Sequence, residues 1–227
     1  MSLFPIFAPA TAAGPAIATH VAGVSNTSAA STWTQSDEDI GTASSDRVIV
    51  IATHNDGYPA GTDITGVTIG GSAMTQLGEV GIVEGRLEMW ALAYPSGTTA
   101  TFVTTYAAST NPRAMHIFSL TGTGGATTVS ELATHAGPNA GNSNQISSLN
   151  LDVPENGTVI AASFNQAYSN GGAWTGVDFD NRINATGNQF FEAASKDFTA
   201  ASEGLLIKRD WTTGQRVGMI AASFGPA

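Results

Sequence analysis

Four histidines, eighteen carboxylates and four tryptophans are the side chains of this 227-residue sequence with most chemistry to offer. The histidines, His20, His54, His116 and His135, lie far apart, and none stands in the HxH or HExxH spacing that sets two imidazoles on one metal. His116 alternates with Ala114 and Phe118, which suits a hydrogen-bonded core or semi-buried histidine better than a ligand. There is no cysteine, so disulfides and thiolate metal sites are excluded. Carboxylates gather at Asp37-Glu38-Asp39 and at Asp178-Phe179-Asp180. Adjacent oxygens suit a hard cation, but neither run continues with the spacing of an EF-hand loop, and both read as solvated acidic turns. Glycoside hydrolysis needs two carboxyls facing each other across a cleft, and no spacing among the eighteen singles out a pair. A GxSxG elbow, a P-loop and a GxGxxG turn are all absent. We therefore expect no enzyme: no catalytic residue, no metal ligand and no cofactor.

The aromatic residues offer contact rather than reaction. Trp33, Trp90, Trp174 and Trp211 are well separated. Trp90 sits mid-strand beside Leu92 and reads as core. Trp174 follows Gly171-Gly172-Ala173 and Trp211 precedes Thr212-Thr213-Gly214, so both stand near loops where a ring can meet a partner or stack on a sugar. At the N-terminus Phe4, Ile6 and Phe7 are apolar, but Pro5, Pro9, Gly14 and Pro15 interrupt any helix, and no Lys or Arg marks a signal peptide. The expectation is an extended arm over residues 1–15, packed on its own domain or on a neighbouring subunit if it is ordered. Phe4, Ile6, Phe7, Trp174 and Trp211 are the candidate interaction residues.

These residues need a scaffold, and composition narrows it. Charged residues make up 11% of the chain, against roughly 25% in an average domain, while 42% are hydrophobic and glycine occurs 26 times. Eight Lys and Arg against eighteen Asp and Glu leave a net charge of −10, the wrong sign for releasing phosphate counterions, so no nucleic-acid partner is expected. No apolar run approaches the about 18 residues of a membrane-spanning helix, and no membrane association is expected. Period-2 patterns dominate. Arg47–His54 is apolar on both faces and reads as a central strand. In Arg86–Tyr94, Leu87, Met89, Ala91 and Ala93 fall on one face, and Glu88, Trp90, Leu92 and Tyr94 on the other. Further strands are read at Ile64–Gly70, Thr99–Tyr106, Ala114–Leu120, Ile146–Val153, Thr158–Phe164, Trp174–Phe179, Phe190–Ser195, Gly204–Lys208 and Arg216–Phe224. The polar stretch Thr134–Asn144 reads as a loop or crossover between sheets. DRVIVIATHN at 46–55 resembles GTVIAASFN at 157–165. Two buried strands look alike for composition alone, so this is not taken as a boundary. Closely spaced turn signals complete the pattern of an all-β fold, a jelly-roll-like antiparallel β-sandwich. It is expected as a single domain over 16–227 behind the N-terminal arm.

The run Ile40-Gly41-Thr42-Ala43-Ser44-Ser45-Asp46-Arg47-Val48-Ile49-Val50-Ile51-Ala52 resembles a pattern of small β-sandwich virion proteins of tailed bacteriophages. Ile64-Thr65-Gly66-Val67-Thr68-Ile69-Gly70-Gly71-Ser72-Ala73-Met74, Arg86-Leu87-Glu88-Met89-Trp90 and Pro95-Ser96-Gly97-Thr98-Thr99 follow in the same order. The resemblance covers roughly residues 30–125 and carries no catalytic residue. It implies a structural protein of the virion surface: a capsid decoration or cement protein, a head spike or a tail-tip part. The implied partners are the major capsid protein or other virion proteins, and the implied state is a homo-oligomer, often a trimer. A receptor- or carbohydrate-binding module of a head spike or tail fibre is the alternative.

Overall fold

The computed structural model describes residues 14–56, 63–82, 85–110, 113–136, 143–166, 173–184, 189–214 and 216–227, the side chains of 56, 82, 143–148, 211–214 and 216 excepted. Phe4, Ile6 and Phe7, with residues 1–13 of the expected arm, lie outside the described residues. The first half of the chain forms β1 (Ile17–Asn26), β2 (Ala30–Asp39), β3 (Val48–Asp56), β4 (Ile64–Ile69), β5 (Ser72–Ala73), β6 (Thr75–Ile82), β7 (Gly85–Ala93), β8 (Thr99–Thr110) and β9 (Arg113–Thr121). The second half forms β10 (Glu131–Ala136), β11 (Ser143–Val153), β12 (Thr158–Gln166), β13 (Trp174–Thr175), β14 (Asp178–Asn184), β15 (Gln189–Asp197), β16 (Ser202–Gly214) and β17 (Arg216–Phe224). The all-β antiparallel sandwich expected from the sequence is the fold, and it is built twice.

In the first half, an inner sheet of order β1-β9-β3-β7-β6 packs on an outer sheet of order β2-β8-β4-β5. In the second, an inner sheet β10-β17-β12-β15-β14 packs on an outer sheet β11-β16-β13. Strand by strand the two orders are the same, β5 being the one addition. The likeness between DRVIVIATHN and GTVIAASFN falls on β3 and β12, the central strands of the two inner sheets. Shared composition therefore does not account for it: the strands also have the same neighbours in the same register. Thr53 stands opposite Glu88 and Met115, and Ser163 opposite Glu192 and Met219. Even the hydroxyl bonds match, Thr53 Oγ1 donating to the Ala114 carbonyl at 3.1 Å and Ser163 Oγ to that of Gly218 at 3.0 Å.

The inner sheets face each other across an apolar seam. Val48, Val50, Ala52, Leu87, Met89, Phe118 and Leu120 meet Ile160, Ala162, Phe164, Phe191, Ile220, Ala222 and Phe224 there. The alternate residues of the same strands turn outward: Ile49, Ile51, Trp90 and Ile117 pack on the first outer sheet, and Val159, Ala161, Ala194 and Ala221 on the second. A strand buried on both faces must be apolar on both faces, which is why Arg47–His54 lacks alternation. At the centre of the seam the equivalent rings of His54 and Phe164 stack at 3.7 Å. Equivalent residues that touch each other define a two-fold relation, so a pseudo-dyad passes between them.

Four differences from the sequence reading have physical causes. The strand read at Trp174–Phe179 is two, β13 and β14, because the left-handed backbone at Gly176 breaks it. No strand was expected before Arg47, yet β1 and β2 occupy residues 17–39. Both are edge strands with one half-solvated face, so their apolar signal is weak and pairing to β9 and β8 decides them. The acidic run Asp37-Glu38-Asp39 is a β-bulge within β2, where Asp37 takes a φ of 58°. Thr134–Ala136, expected in a loop, belongs to β10 and is held by pairing to β17; residues 137–142 lie outside the described residues.

Histidines collect in the seam. His116 is buried as expected, with its Nε2 at 3.2 Å from the Phe191 carbonyl and its Nδ1 at 3.0 Å from His20 Nε2. Burial lowers the affinity of both His54 and His116 for a proton, to a pKa of about 3 in each; for His116 the neighbouring His20 adds to this. The unfolded chain takes up protons near pH 6.5 that the native seam refuses. Stability is therefore complete above that pH and falls as pH drops toward 3, by about 1.4 kcal/mol per pH unit for each histidine. Comparing urea unfolding of the chain with that of His54→Phe, which copies Phe164 across the pseudo-dyad, separates this contribution from those of other titrating groups. The variant should gain about 1.4 kcal/mol relative to the chain for each unit that pH drops between 6 and 4, and a difference that does not change with pH would disprove the assignment.

Candidate functional site

The two sandwiches bury the same acid and treat it differently. Glu88 on β7 and Glu192 on β15 occupy equivalent positions between inner and outer sheet, 1% and 0% exposed. Each accepts a tryptophan indole N–H at 3.0 Å, but from different layers. Trp90 stands two residues from Glu88 on the same inner strand. Its equivalent in the second half is Ala194, and the donor there is Trp174 of the outer strand β13.

The neighbours have changed charge. Opposite Glu88 on the ladder stands Glu79, a like charge; opposite Glu192 stands Arg182. Where Tyr106 pairs with Ile64 in the first outer sheet, Arg209 pairs with Trp174 in the second. Glu192 is consequently clamped. Arg182 donates from Nε at 2.6 Å and from Nη2 at 2.5 Å to one oxygen, Arg209 Nη2 reaches the same oxygen at 2.9 Å, and Arg209 Nε binds the other. Glu88 has no cation in that role. Its partners are Trp90 and Gln76 Nε2 at 3.0 Å on one oxygen, and its other oxygen has no hydrogen-bond partner. Burial first, then the Glu79 charge, push its carboxyl up to about 7.

The second sandwich also opens where the first is closed. Ile64-Thr65-Gly66-Val67 and Trp174-Thr175-Gly176-Val177 begin alike. After Val67 the chain continues along the first outer sheet to Ile69, turns through Gly70-Gly71 into β5, and seals the layer with Met74 before β6. After Val177 it passes at once into β14. Gly176 makes that switch with a φ of 84°, and a Cβ there would meet the Leu206 carbonyl at 2.3 Å. At Gly66 a Cβ would meet nothing within 4 Å. The direct switch leaves a cleft of about 430 Å³ between the edges of the two sheets, lined by Ala173, Trp174, Val177, Asp178, Phe179, Arg182 and Arg209.

Phe179 is 52% exposed at the mouth of the cleft, with the Arg182 guanidinium 5.9 Å from its ring. Trp174 is half-buried in the wall, its ring 5.9 Å from the Arg209 guanidinium and its N–H tied to Glu192, so its orientation is set. The arrangement can hold a ligand with a flat apolar face and a polar or anionic group.

Of the residues singled out from sequence, Trp174 lies in this cleft. Trp211 lies on β16, and its side chain is outside the described residues. Sequence reasoning missed Arg182, Arg209 and Glu192, which are brought together from β14, β16 and β15. The acidic Asp178-Phe179-Asp180 run marked the place without revealing its character. Among the described residues no cluster of three or more His, Asp or Glu side chains is placed to hold a metal ion.

No protein-family description matches the chain, and no curated protein matches it significantly. Among solved structures, the crystal structure of PBSX exported protein XepA is similar over 91% of this chain and 86% of that one at 14% identity. The TM-score is 0.25, at which the two chain paths do not superpose, and the likeness constrains neither fold nor function.

Two substitutions test this geometry. A carboxyl whose pKa rises from 4.5 unfolded to about 7 folded weakens the protein as pH climbs through that interval. Glu88→Gln should therefore raise stability at pH 8 by about 3 kcal/mol and at pH 5 by under about 1 kcal/mol, read from urea midpoints. Gly176→Ala should cost at least about 2 kcal/mol from the left-handed backbone and the carbonyl clash, whereas Gly66→Ala should cost under about 1 kcal/mol. Equal losses at the two glycines would show that Gly176 is not the switch.

Proposed function

We propose that this chain is a structural protein of a tailed-phage particle, a decoration or cement protein that binds the major capsid lattice as an oligomer at the virion surface. The observation that supports it best is the four-layer block itself. Two sandwiches are fused through a continuous apolar seam, so surfaces on either side keep a fixed separation, as a part that bridges neighbouring lattice subunits requires. The resemblance of residues 30–125 to phage β-sandwich proteins points the same way. Phe4, Ile6 and Phe7 are the proposed grip, adding apolar area or an extra strand on a capsid subunit. Mass spectrometry of purified particles with copy counting is the test. Hundreds of copies support decoration of the head, a handful moves the protein to a spike or tail tip, and absence from particles overturns the reading. Deleting residues 1–13 should then abolish binding to undecorated capsids; undiminished binding removes the arm from the mechanism.

A second reading, a receptor- or carbohydrate-binding module of a spike or fibre, is favoured by one observation: the cleft that presents Trp174 and Phe179 beside two arginines.

A further inference from the structure

We propose that, in the free protein, the segment Phe4-Pro5-Ile6-Phe7 of the same chain occupies the cleft of the second sandwich, with its rings packed on Phe179 and Trp174. This goes beyond the proposed function: it gives the arm a seat before any particle is met, and its test reads no particle binding.

The cleft selects an uncharged occupant. Arg182 and Arg209 hold Glu192, and Asp178 at the rim has Lys196 at 4.0 Å, so these charges are answered within the protein. What the cleft offers a newcomer is apolar: the half-exposed ring of Phe179, the half-buried ring of Trp174, and Val177 and Ala173. Its volume of about 430 Å³ is on the scale of a short run of side chains. Residues 1–13, MSLFPIFAPATAA, contain no charged side chain and bring Phe4, Ile6 and Phe7 within one short run. Pro5 and Pro9 fix their own φ and exclude a helix, so a segment of this kind docks extended and loses less freedom in doing so.

The root of the arm lies beside the cleft. On entering β1, Ala16 donates its N–H to the Asn156 carbonyl at 2.8 Å, and Ala18 donates its N–H to Asp197 Oδ1 at 3.2 Å. Asp197 ends β15, and two residues back on that strand Ser195 stands opposite Asp178 of the cleft. Two residues of strand span about 7 Å. The chain from Phe7 to Ile17, fully extended, reaches about 33 Å. The segment therefore reaches the cleft of its own chain with length to spare, and no second copy is needed.

Exposed apolar surface follows the same path. Among the described residues the exposed large apolar side chains are Ile17, Phe179 and Leu206. Ile17 stands at the root of the arm and Phe179 at the mouth of the cleft, and the Leu206 backbone lies against Gly176, where the direct switch opens the cleft. Docking removes the Phe179 ring from water and adds contacts between rings. The hollow of about 280 Å³ beside β1 lies even closer to the root, but it is lined by Thr19, Val21, Gly41, Thr42, Ser119 and Thr121 and offers no ring.

The chain has no cysteine, so a pair of introduced cysteines reports one contact alone. Ala8→Cys, next to Phe7, is combined either with Asp178→Cys at the rim of the cleft or with Thr42→Cys in the hollow beside β1. Asp178 and Thr42 are both exposed, so neither change disturbs packing. Under mild oxidation in dilute solution the pair at 8 and 178 should close an intramolecular disulfide at least tenfold faster than the pair at 8 and 42. Adding Phe4→Ser and Phe7→Ser should bring the first rate down to the second. Equal rates for the two pairs, or a rate at 8 and 178 that the serine substitutions leave unchanged, overturn the proposal. A disulfide that joins two copies, read as a doubled mass on non-reducing mass spectrometry, overturns self-docking and assigns the cleft to a neighbour's arm.

Discussion

Burial of one sheet face against another, twice over for each inner sheet, is the constraint on which this molecule rests. An inner strand such as β3 gives Val48, Val50 and Ala52 to the seam and Ile49 and Ile51 to its own outer sheet, all fully buried. No face is left for water, so every backbone amide must be paired within the ladder, and β3 achieves this by antiparallel pairing to β7 and β9 on its two sides. Buried polar groups follow the same rule. Arg47 is fully buried, and its guanidinium donates to the carbonyls of Tyr94, Ile40, Gly41, Ser96 and Gly97. It thereby ties the β2–β3 connection to the β7–β8 turn.

Repetition of one sandwich across a pseudo-dyad shows what the fold requires and what it leaves free. The Thr53 and Ser163 hydroxyl bonds, the buried glutamates and the indole donors recur because they satisfy polar atoms at equivalent inner positions. The groups around the acids do not recur. In the first copy burial and then the Glu79 charge push the acid up to about 7, and in the second Arg182 and Arg209 clamp it beside the cleft. The architecture thus tolerates opposite electrostatics at one site, and the second copy has a cleft beside it.

The strands buried on both faces, and the face assignment of Arg86–Tyr94, were legible because side-chain polarity along a strand is local information. Trp90 and His116 were placed in the core for the same reason. The edge strands β1 and β2 were not legible, since a half-solvated strand has little pattern of its own and is made by its neighbour. Nor was the cleft: Arg182, Glu192 and Arg209 are separated along the chain and carry no spacing that announces contact. The self-likeness of β3 and β12 was visible, but two similar strands do not establish a repeat until their partners are seen to match.

The sequence by itself determined that this chain is a cysteine-free, acidic, all-β protein and which segments are its central strands, because composition and two-residue periodicity act over a few neighbours. The tertiary structure decided the duplication, the seam where His20, His54 and His116 meet, and the divergence of the two Thr-Gly-Val segments. One of these runs on to close its sandwich, and the other turns at Gly176 to leave its sandwich open. The physical reason is that the same local run has two accessible backbone paths, and only the packing of residues distant in the chain selects between them.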